Sequence, residues 1–309
     1  MYTGIALNRF SSAAGALAWL LIALPLQAQP NDPVAAGAQV QLVEDGFGFL
    51  EGPVRTPDGG LYFTDITNNR IHRLAPSGRI TVAREPSNRA NGLTLDIDGS
   101  LLICEQSAQR LTKMDADGNV SVVVGEYNGA PFNSPNDVWV HRNGSLYFTD
   151  PRYNWPDGEP TQPGEYVYRV GADRETVEAV VTDVPKPNGV IGTESGAHLY
   201  VASTELLKVF RYDIDRDGSL INRIEFADQG SDGMELDERG NVYLTWAGRV
   251  SIYNPAGDLI REVEVPQSPA NVAFGGVDGQ TLYITARTGL YSLRMDVTSS
   301  RLDYGMLGR

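Results

Sequence analysis

Apolar and polar positions along this chain fall into short blocks, and the blocks recur. The clearest copy runs from Pro135 to Asp150: a polar doublet, the apolar run Val138-Trp139-Val140, a turn at Asn143-Gly144, then Leu146-Tyr147-Phe148-Thr149 ending in Asp150. Two short apolar runs joined at a Gly-containing turn predict a β-hairpin. Further copies begin at Glu51-Gly52-Pro53, Asn91-Gly92-Leu93, Asn188-Gly189-Val190, Asp232-Gly233-Met234 and, less cleanly, Ala270-Asn271-Val272.

The second runs of these copies start at 61, 101, 146, 199, 242 and 282. A strand-rich unit of about 40–50 residues predicts the blade of a β-propeller. Each unit adds a third apolar run, such as Ile71–Leu74 or Lys208–Arg211, and most add a fourth, such as Ile80–Ala83. The prediction is therefore an all-β, six-bladed β-propeller with four antiparallel strands per blade. The last blade stops after its third run, Leu290–Leu293, whereas a spare strand at 39–44 precedes the first. That N-terminal strand is expected to close the ring, because pairing it into the last blade covers an exposed edge.

Length alone would suggest two domains for 309 residues, but the repeat spans nearly everything after residue 39, so 39–309 reads as one domain, with 298–309 as an outer addition. Residues 1–28 read as a secretory signal peptide: Arg9 is the sole charge, Ala13–Leu26 is apolar, and small Ala28 ends a cleavage site. The apolar run is short for a membrane-spanning helix. Residues 29–38, rich in Pro, Ala and Gly, read as a flexible leader. The protein is expected to be exported to the periplasm or the medium, free of the membrane once cleaved. Cys104 is the single cysteine, so export does not depend on an intramolecular disulfide, and its place among strand residues predicts a buried, inert thiol.

A net charge of −14 without a basic stripe argues against a nucleic-acid partner, whose phosphates require Lys and Arg. It suits a protein handling neutral ligands or cations. The repeat itself sets no oligomeric state.

Strand alternation sorts the loops. The start of each inner strand and the end of each second strand share one face, and the turns at Asp58-Gly59, Asp98-Gly99 and Asn143-Gly144 share the other. Glu51, Asn91, Asn136, Asn188 and Asp232 should then converge at one mouth of the central channel. Asn-Gly and Asp-Gly are ordinary turn formers, yet each unit already has its own hairpin turn seven or eight residues later. Two carboxylates and several amide oxygens around one axis form a hard, all-oxygen site that suits a divalent cation: Ca2+ first, with Mg2+, Mn2+ or Zn2+ as alternatives.

At these doublets the chain resembles the SMP-30/gluconolactonase/LRE family over about residues 40–295. The residues that carry the resemblance are Leu50-Glu51-Gly52-Pro53, Asn133-Ser134-Pro135-Asn136-Asp137 with Phe148-Thr149-Asp150-Pro151, Lys186-Pro187-Asn188-Gly189, Ser231-Asp232-Gly233-Met234-Glu235-Leu236-Asp237 and Pro269–Gly276. The resemblance implies a six-bladed propeller that hydrolyses lactones of sugar acids with a divalent cation on its axis. It implies that Glu51, Asn188 and Asp232 are metal ligands, that Asn136 faces both metal and substrate, and that Asp232 is also the general base. Two positions depart from the family pattern: Ser231 stands where Pro is usual, and Cys104-Glu105-Gln106 where Cys-Glu-His is common. Both are expected at the pocket rim, where they bear on substrate choice.

One link is much longer than its equivalents. Pro151 to Gly164 joins the second and third strands of blade three, and loops this long are usually functional or disordered. Arg152, Tyr153 and Trp155 in it are expected, with Asn136 and Asn91, to contact a sugar-sized ligand. Phe47, Phe49, Arg89, Tyr127 and Trp246 are secondary rim candidates. Other constellations fail. Gly192–Gly196 has the wrong spacing for a nucleophile elbow. His72, His141 and His198 fall in strands or far-face turns. Asp213–Gly218 opens like an EF-hand loop but has Ile224 at its twelfth position.

The reading is thus a divalent-metal-dependent lactonase in which Asp232 activates water. The alternatives are a phosphotriesterase-like or other ester hydrolase on the same cation, or a non-catalytic ligand-binding propeller, which would not need two carboxylates beside amides. Strictosidine-synthase-like condensation is argued against by Glu51 and Asp232.

Overall fold

The repeated apolar runs are strands in the computed structural model, which describes residues 1, 32–153 and 158–300. Five consecutive sheets are four-stranded meanders, and their innermost strands are Leu50–Arg55, Ala90–Leu95, Val138–Val140, Pro187–Gly192 and Met234–Leu236. The sixth sheet is ordered Pro269–Gly275, Thr281–Ala286, Gly289–Arg294 and then Gln41–Glu44, the N-terminal strand pairing antiparallel with Gln41 opposite Ser292. The ring closes as the sequence predicts, and the described residues contain no helix.

The burial pattern shows why the runs are so apolar. A second strand such as Leu101–Glu105 is buried at every position, because a neighbouring blade covers each face of its sheet, whereas an outer strand such as Ile80–Arg84 is largely exposed. Strands covered on both faces lose the polar alternation of a half-solvated sheet. One core cluster joins Trp139 and Tyr147 of blade three, Leu199 and Tyr200 of blade four, and Val242 and Leu244 of blade five.

Two features differ from expectation. The described part of the leader does not stand free. Val34 bridges Met295, the Ala35 N–H donates to the Arg294 carbonyl (3.1 Å), and the Asp296 N–H donates to the Pro33 carbonyl (2.8 Å). Val34 is buried with Val297 and Met295 in the core of blade six. One apolar side chain and a backbone ladder fix a segment whose composition reads as coil. The second is a small hairpin between blades two and three, Glu126–Tyr127 paired with Ala130–Pro131. Its Asn128-Gly129 turn has positive φ at both positions (54° and 78°), as a two-residue hairpin turn requires.

Residues 1–28, read as a signal peptide from the sequence, lie outside the described residues apart from Met1, as do 301–309. Among the described residues no helix is long and apolar enough to cross a membrane. Cys104 is buried and free, and burial pushes its thiol up. The Asp213–Gly218 segment is the hairpin turn between Lys208–Ile214 and Leu220–Ala227.

Candidate functional site

Each polar-Gly doublet sits where the inner strand departs from regular pairing. The register slips between Glu51 and Val54, between Ala90 and Leu93, and between Pro187 and Val190. Such bulges re-aim side chains beside active sites. In blades three and five, Asn136 and Asp232 lie two residues ahead of the strand. The glycines allow the blades to converge: a Cβ on Gly52 would lie 2.1 Å from the Asn91 carbonyl oxygen, and one on Gly233 would lie 1.9 Å from the Asn271 side chain. The doublets are therefore close-approach points between neighbouring blades.

The result is a cavity of about 450 Å³ lined by Glu51, Asn91, Asn136, Asn188 and Asp232. These are the five residues that strand alternation places at the mouth. A second tier completes the wall: Ile66 and Thr67, Gln106, Tyr153, Thr204 and Trp246, each at or just past the end of a second strand, together with Phe49. The first five blades thus contribute from two corresponding places each. Ile66, Thr67 and Thr204 carry no chemical signature in the sequence. Only their position after the second run marks them.

The long loop sends Tyr153, and not Arg152, to the cavity. Arg152 is not a lining residue; its guanidinium donates to the Gly158 carbonyl within its own loop. Its backbone is held from the far side, the N–H donating to Glu165 Oε1 at 2.7 Å and the carbonyl accepting from Lys186 Nζ. Trp155 lies outside the described residues. Of the secondary candidates, Phe49 and Trp246 line the cavity. Phe47 instead packs edge-on against Phe63, Tyr127 packs against Tyr168, and Arg89 reaches the Ile66 carbonyl. None of the three histidines lines the cavity. Gln106 is a wall residue as expected. Ser231 is not: fully buried, it donates to the Gly233 carbonyl (2.6 Å) and accepts from the Thr245 N–H (2.9 Å), bracing the Asp232 turn from behind.

At the floor, Asn188 Nδ2 donates to Asp232 Oδ1 at 2.8 Å, and Glu51 Oε2 accepts from the Gly52 N–H at 3.0 Å. Desolvation, then the charge of Asp232, pushes Glu51 well above the usual carboxylate range, against hydrogen bonds from Gly52 and Asn271. Asp232 opens to the cavity, yet desolvation within the ring pushes it up to about 6, with the Asn188 amide opposing. Asp137, whose carboxylate accepts the Val138 and Val190 N–H groups, adds negative potential to both acids, and Arg287 offsets a little of it at Asp232.

Two enclosed acids within hydrogen-bonding reach of each other can hold a proton between them or share a cation. Among the described residues no three His, Cys, Asp or Glu side chains cluster as a metal site. The donor set here is instead two carboxylates with the carboxamides of Asn136 and Asn188. Hard oxygen donors carrying two negative charges match Ca2+, or Mg2+ and Mn2+ with retained waters, better than Zn2+, which favours nitrogen and sulfur. The residues present fit such a group.

A family model described as "SMP-30/Gluconolactonase/LRE-like region" matches residues 49–288. A gluconolactonase of Zymomonas mobilis is 26% identical over 288 residues, covering 82% of this chain and 81% of that protein. A 6-deoxy-6-sulfogluconolactonase of Pseudomonas putida is 31% identical over 242 residues, covering 73% and 78%. A solved gluconolactonase from Xanthomonas campestris superposes with a TM-score of 0.80 at 26% identity, covering 85% of this chain and 91% of that one.

Proposed function

We propose, from the premise that this chain belongs to the SMP-30/gluconolactonase/LRE-like family, that it is a divalent-cation-dependent lactonase opening the ester of a sugar lactone. The observation that carries the reading is the pairing of Glu51 and Asp232 with Asn136 and Asn188 on the floor of a polar, aromatic-walled cavity of about 450 Å³. Its relatives include gluconolactonases and a sulfogluconolactonase.

Glu51, Asn136, Asn188 and Asp232 would hold the cation, Ca2+ before Mg2+ or Mn2+. When bound, it supplies Lewis-acid stabilisation of the negative charge that develops on the lactone carbonyl oxygen. The remaining chemistry belongs to the chain. Phe49 and Trp246 offer apolar faces to a sugar ring, while Asn91, Asn136 and Gln106 offer amide donors and acceptors to its hydroxyls. Asp232 accepts a proton from the water that attacks the carbonyl carbon. The ring C–O bond then breaks, and the proton passes to the departing alkoxide, leaving an open hydroxy acid.

The test is metal-depleted protein assayed against a panel of sugar lactones and aryl esters, each cation restored in turn. Lactone hydrolysis that returns with Ca2+ supports the reading. Hydrolysis of aryl esters alone would favour a different ester hydrolase, and full activity after depletion would remove the cation from the mechanism. We further propose export, with a mature N-terminus near Gln29. N-terminal sequencing of extracytoplasmic protein checks it, and an intact Met1 would refute it.

A further inference from the structure

Tyr153 comes from the long loop of blade three, yet its phenol oxygen lies 2.9 Å from Asn188 Nδ2 in blade four. The same Nδ2 donates to Asp232 Oδ1 at 2.8 Å. An ionised carboxylate only accepts hydrogen bonds, so Asn188 must turn its NH2 group toward Asp232. Both amide hydrogens are then used, one on Asp232 and one on Tyr153. The phenol, accepting from Asn188, has one proton left to donate, and Thr204 Oγ1 lies 3.1 Å away. Thr204 Oγ1 in turn lies 3.4 Å from the Lys186 carbonyl, which accepts its proton. Every donor along Asn188, Tyr153, Thr204 and the Lys186 carbonyl therefore points one way. The Asn188 side-chain oxygen, Oδ1, is the one group of that carboxamide without a hydrogen-bond donor among the described residues.

The ring of Tyr153 is held as well as its hydroxyl. Lys186 Nζ lies 5.0 Å from the ring centroid and 3.3 Å from Glu165 Oε1. Glu165 also accepts the backbone N–H groups of Arg152 (2.7 Å) and Lys186 (2.9 Å), tying the root of the loop to the entry of the Asn188 strand. The phenol is thus set against Asn188 from both of the blades it bridges.

We infer that Tyr153 is a positioning residue that locks the Asn188 carboxamide with its oxygen free for the cation, with Thr204 fixing the direction of the phenol proton. The inference rests on the reading of Asn188 as a cation ligand. Partners that orient a metal ligand typically contribute 10–100-fold to affinity.

The experiment is Ca2+ titration by calorimetry of four proteins: wild type, Tyr153→Phe, Asn188→Ala and the double variant, with Thr204→Val beside them. Tyr153→Phe keeps the ring and removes the hydroxyl. It is expected to weaken Ca2+ about 10–100-fold in the wild-type background and to add nothing in the Asn188→Ala background. Thr204→Val should weaken Ca2+ by a smaller factor. A second readout needs no cation: the Asn188 side-chain NH2 pair in the 15N NMR spectrum, identified by its absence from Asn188→Ala. Its hydrogens should exchange faster with solvent in Tyr153→Phe. Equal losses of affinity in both backgrounds, or an Asn188 amide untouched by Tyr153→Phe, would overturn the inference. Should wild type bind no divalent cation while Tyr153→Phe still frees the amide, the locking of Asn188 stands and the cation-dependent reading falls.

Discussion

Thr149 of blade three donates its hydroxyl proton to the carbonyl oxygen of Asn188 in blade four, at 2.6 Å. The same contact ties Thr64 to the Asn91 carbonyl (3.0 Å) and Thr245 to the Ala270 carbonyl (2.6 Å), each reaching from a second strand to the next inner strand. Blades two and four carry Cys104 and Ala202 at this position, both buried and without a hydroxyl. Three of the interfaces between blades are therefore pinned by a Thr at the depth of the site, and the one at Thr149 holds the backbone of a candidate ligand.

Thr149→Val keeps the shape and removes that donor. It also removes the hydroxyl oxygen that accepts the Asp137 N–H at 3.1 Å. Leaving buried backbone groups unpartnered costs about 1–3 kcal/mol. Urea unfolding should show a loss of that size with an unchanged slope, together with weakened cation binding.

Asp232→Asn preserves shape but removes one negative charge and the carboxylate suited to taking a proton from water. Turnover should fall by about 10²–10⁴-fold, the usual contribution of a general base, even at saturating cation, and cation affinity should fall too. Asn188→Ala should lower affinity with turnover partly restored by excess cation, because an amide cannot act as the base. Steady-state kinetics across a cation titration separates the two, and normal turnover in Asp232→Asn would sink its assignment.

Acidity should act on cation and fold in opposite directions. With no cation bound, Glu51 and Asp232 have raised folded-state pKa values. Their contribution to stability is then fully present below the ordinary carboxylate range and is lost as pH rises through the folded values, about 6 for Asp232. Chelation should therefore lower the thermal midpoint more at pH 8 than at pH 5. Cation affinity should weaken as pH falls below about 6, because ligating oxygens must first lose their protons. Calorimetric midpoints with and without chelator at both pH values check this, and an equal chelator effect at each would count against the pair.

Trp246→Ala removes an apolar wall residue of the cavity. Binding that is equal in ground and transition states appears in KM alone. KM for a sugar lactone should rise about tenfold, on the order of one lost aromatic contact, with kcat little changed. A matching fall in kcat would place Trp246 in the chemistry instead.

The blades, their number, the closing strand and the five polar residues at the mouth were legible in the sequence. A strand's facing repeats every two residues, a turn needs Gly or Asn at defined places, and six repetitions make one local signal unmistakable. The first five blades also place lining residues at equivalent points, so position alone finds even Thr204. What the sequence did not show depends on contacts between distant residues. Arg152, Tyr153 and Trp155 stand together in one loop, and their composition cannot tell which side chain turns inward. Glu165 and Lys186 decide it by holding the loop root, which leaves Arg152 with Gly158 and Tyr153 against Asn188. Val34 reads as part of a flexible leader until the residues that follow the last strand, Met295 and Val297, supply the apolar surface that buries it. The raised pKa values of Glu51 and Asp232 likewise come from the assembled ring, where burial desolvates both acids and Glu51 meets the charge of Asp232, 181 positions away in the sequence.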